Sequence, residues 1–171
     1  MQSPDEIFDL CDEQDRVIGQ ARRADVHANH WLHRAVHVWI IRSDNRLVVQ
    51  RRSGSKDEYP HGLTSSASGH LDTGEDYLTA ARRELGEELG LRDCVLEYAT
   101  KLPASARTAY EHTVLYMGRT DADLFPHPGE VAGLELYTWA QLQAMLTAGD
   151  AVITPPFRQL LEWYLTRQNA D

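Results

Sequence analysis

Three glutamates, Glu84, Glu87 and Glu88, lie at positions i, i+3 and i+4 of a segment that favours helix. Residues at this spacing are neighbours on one face of a helix. Three carboxylates on one face repel each other, so the pattern is typical of two arrangements: a solvated acidic stripe, or a set of oxygen ligands for a hard divalent cation. The residues around the three glutamates decide between these two interpretations.

The segment 69–91 fits one long sequence pattern at every constrained position. The pattern is Gly, five residues, Glu, seven residues, and then Arg-Glu-(aliphatic)-x-Glu-Glu-x-Gly-(aliphatic). The chain meets it with Gly69, Glu75, Arg83, Glu84, Leu85, Glu87, Glu88, Gly90 and Leu91. A chance match is expected with a probability on the order of 10⁻⁷ or less at ordinary residue frequencies. The segment resembles the Nudix box, and the chain therefore resembles the Nudix hydrolases, which cleave a nucleoside diphosphate linked to a further group.

Weaker resemblances outside the box indicate the isopentenyl-diphosphate isomerase-like branch of that superfamily. They lie at 15–19, at 50–56 and at the Gly69-His70 pair. The isomerases carry a catalytic cysteine directly before this Gly-His pair, whereas this chain has Ser68. A serine hydroxyl has a far higher pKa than a thiol, which favours hydrolysis over isomerisation. Isomerase-like activity stays as an alternative.

The resemblance implies specific roles for residues of the box and of the basic motif. It implies Mg²⁺ as cofactor, with Mn²⁺ as a substitute, and hydrolysis of small nucleoside 5′-di- or triphosphates to a monophosphate plus phosphate or pyrophosphate. The implied metal-binding positions are Gly69, Glu84, Glu87 and Glu88. The implied catalytic residues are Glu84, Glu87, Glu88 and Glu111. The implied substrate-binding residues are Arg51, Arg52 and Lys56.

Two assignments within these roles stay open. The general base is Glu84 or a distal glutamate, for which Glu111 is the first choice and Glu130 and Glu135 are weaker ones. Strand alternation places Arg51 and Arg52 on opposite faces, so only one of them should reach the cleft.

The histidines suggest a second metal site, which we do not favour from the sequence. His27, His30, His33 and His37 resemble a metal cluster, with His70 as a further ligand, and the isomerases use histidines near these positions. However, residues 35–41 are predicted to form a strand, which separates His33 from His37, and no complete zinc pattern is present.

The elements that must position these residues follow from hydrophobic periodicity. The box predicts a helix with Thr73 as N-cap and Gly90 at its C-terminal end, with an apolar stripe of Leu78, Ala81, Leu85 and Leu89. Hairpins are predicted at 7–12 with 16–21 and at 35–41 with 47–52, and loops at 53–68 and 121–134. Further strands are predicted at 94–102, 112–119 and 135–139, and helices at 140–148 and from 154 onward. The resulting fold class is α/β, a Nudix-type α/β/α sandwich with a mixed β-sheet, in a single domain of residues 1–171.

Composition limits the remaining function classes. The chain has 171 residues and a formal net charge of −9, so extended nucleic acid is not an expected partner. This charge argues against an RNA-end hydrolase, and the intact glutamates argue against a non-catalytic nucleotide-binding domain. Two distant cysteines, no signal-peptide pattern and no long apolar run predict a cytoplasmic protein without a membrane contact. The oligomeric state is open.

Overall fold

The computed structural model describes residues 5–149 and 152–168 of the chain. The strands are β1 Ile7–Cys11, β2 Val17–Arg22, β3 His33–Ile41, β4 Leu47–Arg52, β5 Leu63–Thr64, β6 Ala67–His70, β7 Glu97–Leu102, β8 Glu111–Arg119 and β9 Val131–Tyr137. The helices are α1 Arg23–Ala28, α2 Tyr77–Leu89, α3 Trp139–Ala148 and α4 Pro155–Gln168, with a 3₁₀ turn at Ala106–Thr108. No helix among these residues is long and apolar enough to cross a membrane.

The main sheet is mixed and is organised around β3. This strand runs parallel to β8 over its whole length and antiparallel to β6. β4 pairs antiparallel with β9 and β5, and β7 pairs antiparallel with β8. β1 and β2 form a separate antiparallel pair. The predicted α/β class with a mixed sheet is confirmed.

Two hydrophobic cores lie on the two faces of this sheet, because the side chains of β3 alternate between them. Val36, Val38 and Ile40 pack with apolar residues of α2. Trp39 and Ile41 pack with residues of α3 and α4. Helices therefore cover both faces of the sheet, and α2 presents its other side to the functional site.

The N-terminal end of α2 differs from the prediction. The N-cap is Asp76 and not Thr73, because Asp76 Oδ1 accepts hydrogen bonds from the backbone N–H groups of Leu78 and Thr79. The Thr73 hydroxyl instead donates to the backbone oxygen of Ile7. At the other end, Gly90 has the left-handed conformation (φ +67°) that a helix C-terminus favours.

Two other predictions need correction. The predicted hairpin of β3 and β4 is paired only next to its turn, at Ile41 and Leu47, since β6 takes the edge of β3 beyond that point. The predicted loops contain strands: β5 and β6 lie within 53–68, and β9 begins at Val131 within 121–134. The short strands β5 and β6 alternate too briefly to be recognised in the sequence.

Candidate active site

Arg83 organises the carboxylates at the exposed side of α2. Its Nε and Nη2 donate to the two oxygens of Glu75 at 3.0 and 2.8 Å, and its Nη1 donates to Glu84 Oε1 at 2.7 Å. Nη2 also donates to the backbone oxygen of His70 at 2.9 Å. One guanidinium thus ties the loop before α2, the helix itself and β6 together.

Glu88 is buried at the base of the site with one oxygen fixed by neutral donors. Its Oε2 accepts hydrogen bonds from Gln50 Nε2 at 2.9 Å and from the backbone N–H of Ser68 at 3.0 Å. Its Oε1 lies 4.0 Å from Lys56 Nζ. Burial raises the pKa of Glu88, while Lys56 opposes that rise. Oε1, which faces Lys56 and carries neither of these hydrogen bonds, is therefore the oxygen available to a cation.

Glu84 lies directly against the backbone of β6. A Cβ added at Gly69 would be 2.0 Å from Glu84 Oε1, so this position must be glycine for the carboxylate to keep its place. Burial and the neighbouring Glu88 raise the pKa of Glu84 to about 8, although Arg83 lowers it. Glu87 differs from both, because its side chain is 59% exposed and lies 3.5 Å from Arg83.

We call the concavity over these residues the carboxylate cleft. Its lining consists of Glu6, Lys56, His70, Arg83, Glu84, Glu87, Glu88, His127 and Glu130. One face of α2 thus presents three carboxylates that differ in exposure. Such a set suits a hard cation, which prefers carboxylate ligands. The predicted glutamates Glu84, Glu87 and Glu88 and the predicted Gly69 do meet at one place.

A second group of ligand-type side chains adjoins the cleft at His70, and we call it the histidine cluster. It consists of His27, His33 and His70, whose ring nitrogens lie within 4.8 Å of one another, together with Glu111. Glu111 Oε1 is 3.1 Å from His70 Nε2 and 3.9 Å from His33 Nε2. Of the four histidines predicted for a metal cluster, the structure brings together His27 and His33, and it adds His70, the predicted further ligand.

The ring nitrogens of this cluster fit a metal ion. His33 Nδ1 donates to the backbone oxygen of Trp31 at 2.9 Å, which leaves a lone pair on Nε2. His33 Nε2 and His70 Nδ1 are buried without a hydrogen-bond partner among the described residues. Burial lowers the pKa of His33 to about 4 and the pKa of His70 well below its ordinary value, so both rings are neutral. Burial also raises the pKa of Glu111 to about 7.

The other two predicted histidines lie outside the cluster. His37 is hydrogen-bonded through Nδ1 to Ser65 Oγ at 2.7 Å, and burial lowers its pKa to about 3. His30 stacks on the ring of Tyr110, with the ring centroids 4.6 Å apart. His37 lies outside the cluster because it follows His33 by four residues along a strand, where the two residues are farther apart than over one turn of a helix.

The distal glutamates separate in space. Glu111 faces the histidine cluster, whereas Glu130 lines the carboxylate cleft and is paired with Lys56. Glu135 is bonded to Arg51 and Tyr137, away from both sites. The sequence favours Glu111 over the other distal glutamates, and in the structure its contacts are with His70 and His33 and not with Glu84.

The basic residues also separate, as strand alternation requires. Arg52 faces a small cavity shared with His70 and Glu111, and burial lowers its pKa. Arg51 points to the opposite face, where it binds Glu135 and the backbone oxygen of His61. Lys56 reaches the carboxylate cleft. Only Arg52 and Lys56 of the three predicted substrate-binding residues line either site.

Sequence reasoning missed Gln50, Glu6 and His127. Gln50 is fully buried and positions Glu88, and its signal was a polar residue interrupting the apolar strand Leu47 to Val49. Glu6 and His127 enter the cleft from segments far away in the chain, and no local spacing marks them.

The chain is similar to known proteins over most of its length. Residues 31–159 match the family model described as NUDIX domain. The chain is 32% identical over 163 residues to an isopentenyl-diphosphate Delta-isomerase 2 of Photorhabdus laumondii subsp. laumondii, covering 92% of this chain and 91% of that protein. It is 33% identical over 152 residues to a Nudix hydrolase of Deinococcus radiodurans, covering 86% and 87%.

Solved structures give the same result for the fold. The crystal structure of DR0079 from Deinococcus radiodurans is similar with a TM-score of 0.82 and 30% identity, covering 92% of this chain and 98% of that one. The NUDIX domain of Shewanella oneidensis NrtR, complexed with ADP ribose, is similar with a TM-score of 0.62 and 15% identity, covering 86% and 99%.

Proposed function

The chain belongs to the NUDIX domain family, and on this basis we propose that it is a Mg²⁺-dependent pyrophosphohydrolase. Its substrates are small nucleoside 5′-di- or triphosphates, and its products are the nucleoside monophosphate and phosphate or pyrophosphate. The observation that carries the proposal is the paired arrangement of Glu84 and Glu88, both buried and oriented toward one cleft. A domain that only binds nucleotides has no need of such buried carboxylates.

Glu84, Glu87 and Glu88 are the residues that hold the cation in this proposal. A divalent cation held there would supply positive charge to the phosphate oxygens and Lewis acidity for the hydrolysis. Gln50 and the Ser68 N–H keep Glu88 in one orientation, and Arg83 does the same for Glu84. The site is thereby organised before substrate arrives, which lowers the cost of reaching the transition state.

Glu84 is the residue that we assign as proton acceptor. Its carboxylate lies beside Glu88 in the cleft and is held in place by Arg83, so it is positioned to take a proton from a water molecule there. Glu111 is the alternative from the sequence, but its contacts are with His33 and His70. Lys56 and Arg52 bind the phosphate groups, because both are cationic side chains that border the two cavities beside β6.

The histidine cluster belongs to the proposal as a second metal site. Neutral imidazoles suit a borderline transition metal such as Mn²⁺ or Zn²⁺ better than Mg²⁺. This cluster also favours a second function, isopentenyl-diphosphate isomerisation, because several relatives are named as such isomerases. Ser68 argues against that function, since its hydroxyl is a poor proton donor to carbon at neutral pH.

We also propose a cytoplasmic location. Cys11 and Cys94 are both free thiols in the structure, as expected in a reducing compartment.

The test is a hydrolysis panel with Mg²⁺ and identification of the products. It contains ribo- and deoxyribonucleoside di- and triphosphates, nucleotide sugars including ADP ribose, dinucleoside polyphosphates and isopentenyl diphosphate. We expect turnover of one set of nucleotides, lost in Glu88→Gln and kept in Glu162→Gln, a matched change on α4 at a residue paired with Arg107. Isomerised isopentenyl diphosphate with no nucleotide hydrolysis would establish the second function instead.

A further inference from the structure

The segment 121–130, between β8 and β9, forms one rim of the carboxylate cleft and is tied to the end of α2. The backbone N–H of Phe125 donates to Leu89 O at 2.8 Å, and the backbone N–H of His127 donates to Glu88 O at 2.9 Å. These bonds satisfy carbonyl groups that a helix leaves open at its C-terminal end. His127 is thus fixed to the same residue whose carboxylate lies at the base of the cleft.

The other side of this rim is tied to the loop that follows β4. The backbone N–H of Ser53 donates to Glu130 O at 3.0 Å, and Ser55 Oγ donates to Gly129 O at 3.3 Å. Lys56 forms an ion pair with the Glu130 carboxylate. The segment 127–130 is thus held by contacts with two separate parts of the chain, the end of α2 and the loop after β4.

The imidazole of His127 is oriented by its own turn. The backbone N–H of Gly129 donates to His127 Nδ1 at 3.2 Å. A backbone N–H can only donate, so Nδ1 accepts, and the neutral ring carries its proton on Nε2. A Cβ at position 129 would lie only 3.1 Å from His127 Cε1, so glycine at this position leaves room for the ring.

A comparison with His112 shows what is unusual about His127. In His112, Nδ1 accepts from the backbone N–H of Ala104 and Nε2 is bonded to the backbone oxygen of Asp12, so both nitrogens serve the fold. In His127, Nε2–H has no hydrogen-bond partner within residues 5–149 and 152–168, and the exposed ring borders the cleft. This N–H is available to a ligand.

We propose that His127 is a substrate-binding residue, whose Nε2–H donates a hydrogen bond to a phosphate oxygen of the nucleotide. This inference rests on the proposed function. Lys56 shares its charge with Glu130, and Arg83 is paired with Glu75 and Glu84, so a phosphate group that contacts Lys56 still gains from a further donor. The Nε2–H of His127 can donate a hydrogen bond to a phosphate oxygen. Because His127 does not contact the carboxylates of the cleft among the described residues, it does not compete with a bound metal ion for them.

Two isosteric variants separate this role from a structural one. His127→Gln keeps an amide N–H near the position of Nε2 but has no acceptor at the position of Nδ1. His127→Asn keeps an oxygen near the place of Nδ1, which preserves the bond from Gly129, but removes the outer donor. We expect His127→Asn to raise KM about tenfold with kcat nearly unchanged, the effect of one lost hydrogen bond to a charged group, and His127→Gln to stay within about threefold of the original KM.

Binding of inorganic pyrophosphate in the presence of Mg²⁺, measured by calorimetry on the same three proteins, is the second readout. This measurement does not need turnover. It therefore tests the role of His127 even if the panel finds no nucleotide substrate, the result that would contradict the proposed function. We expect pyrophosphate to bind His127→Asn about tenfold more weakly than the original protein. Equal KM and equal pyrophosphate affinity in His127→Asn, or a larger loss in His127→Gln, would overturn the proposal.

Discussion

The carboxylate cleft and the histidine cluster adjoin at His70 on the short strand β6, yet they are built in different ways. The ligands of the cleft come from one helix, α2, at neighbouring positions of the sequence. The ligands of the cluster come from α1, β3, β6 and β8. The first site is therefore visible in a local pattern, whereas the second exists only because the parallel pairing of β3 with β8 brings His33 opposite Glu111.

The two sites also differ in how their ligands are prepared. In the cleft, Arg83, Gln50 and the Ser68 N–H already satisfy Glu84 and Glu88. In the cluster, His33 Nε2 and His70 Nδ1 are buried without partners among the described residues. Because a metal ion would give these buried ring nitrogens a partner, metal binding at the cluster should stabilise the folded protein.

The largest expected effect separates the two candidate bases. Glu84→Gln should lower kcat for nucleotide hydrolysis by about 10²–10⁴-fold, the usual contribution of a general base. Glu111→Gln should lower it much less, because Glu111 contacts His33 and His70 and does not line the carboxylate cleft. Steady-state kinetics with saturating Mg²⁺ measures both, and an equal loss in Glu111→Gln would return Glu111 to the role of base.

A smaller effect is expected from Gly69→Ala, which pushes against the Glu84 carboxylate without removing it. The added Cβ would lie 2.0 Å from Glu84 Oε1, and a displacement of about 1 Å costs on the order of 10²-fold in rate. Gly133→Ala is the control, since nothing lies within 4 Å of a Cβ there. Kinetics, with circular dichroism to verify folding, tests this pair; full activity of Gly69→Ala would show that Glu84 is not needed in its observed place.

The histidine cluster is tested by metal affinity. His33→Gln should weaken binding of Mn²⁺ or Zn²⁺ by about 10–100-fold and abolish the rise in Tm that the metal causes, because Nε2 is lost as a ligand. His30→Gln is the matched control, since His30 stacks on Tyr110 outside the cluster. Metal titration with thermal unfolding measures both effects, and equal affinity in His33→Gln and the original protein would rule out this site.

The stability of the folded protein should depend on pH through Glu84 of the carboxylate cleft. In the metal-free protein the pKa of Glu84 is raised from 4.5 to about 8, so the folded state binds more protons than the unfolded state between these values. This contribution to stability is complete below pH 4.5 and is lost as pH rises toward about 8. Relative to Glu84→Gln, the original protein should therefore lose up to about 1.4 kcal/mol per pH unit across this range. Urea unfolding in EDTA at several pH values measures it, and parallel curves for the two proteins would contradict it.

The smallest expected effect concerns the cap of α2. Asp76→Ala should lower the free energy of unfolding by about 1 kcal/mol, because two backbone N–H groups lose their acceptor. Thr73→Ala should have a smaller effect, since Thr73 bonds only to Ile7 O. Urea unfolding of the two variants decides between the two N-cap assignments, and a larger loss for Thr73→Ala would favour the sequence-based one.

Much of the fold was predictable because its signals are local. The alternation of β3, the stripe of α2 and the left-handed Gly90 each depend on residues a few positions apart. The start of α2 was misplaced because both Thr73 and Asp76 are good N-caps, and the contact of Thr73 with β1 cannot be read from the segment itself. β9 was placed four residues late, since Val131 to Leu134 pair with β4 although their own sequence contains a glycine.

The sequence by itself determined the family, the mixed α/β class and the presence of three glutamates on one helical face, because helix geometry converts spacing directly into proximity. Only the tertiary structure decided that Glu88 is buried and bonded to Gln50 while Glu87 is exposed, since this depends on which side of α2 the sheet covers. It also decided that His27, His33 and His70 converge. Contacts between distant segments are set by the packing of the whole sheet, and no local spacing records them.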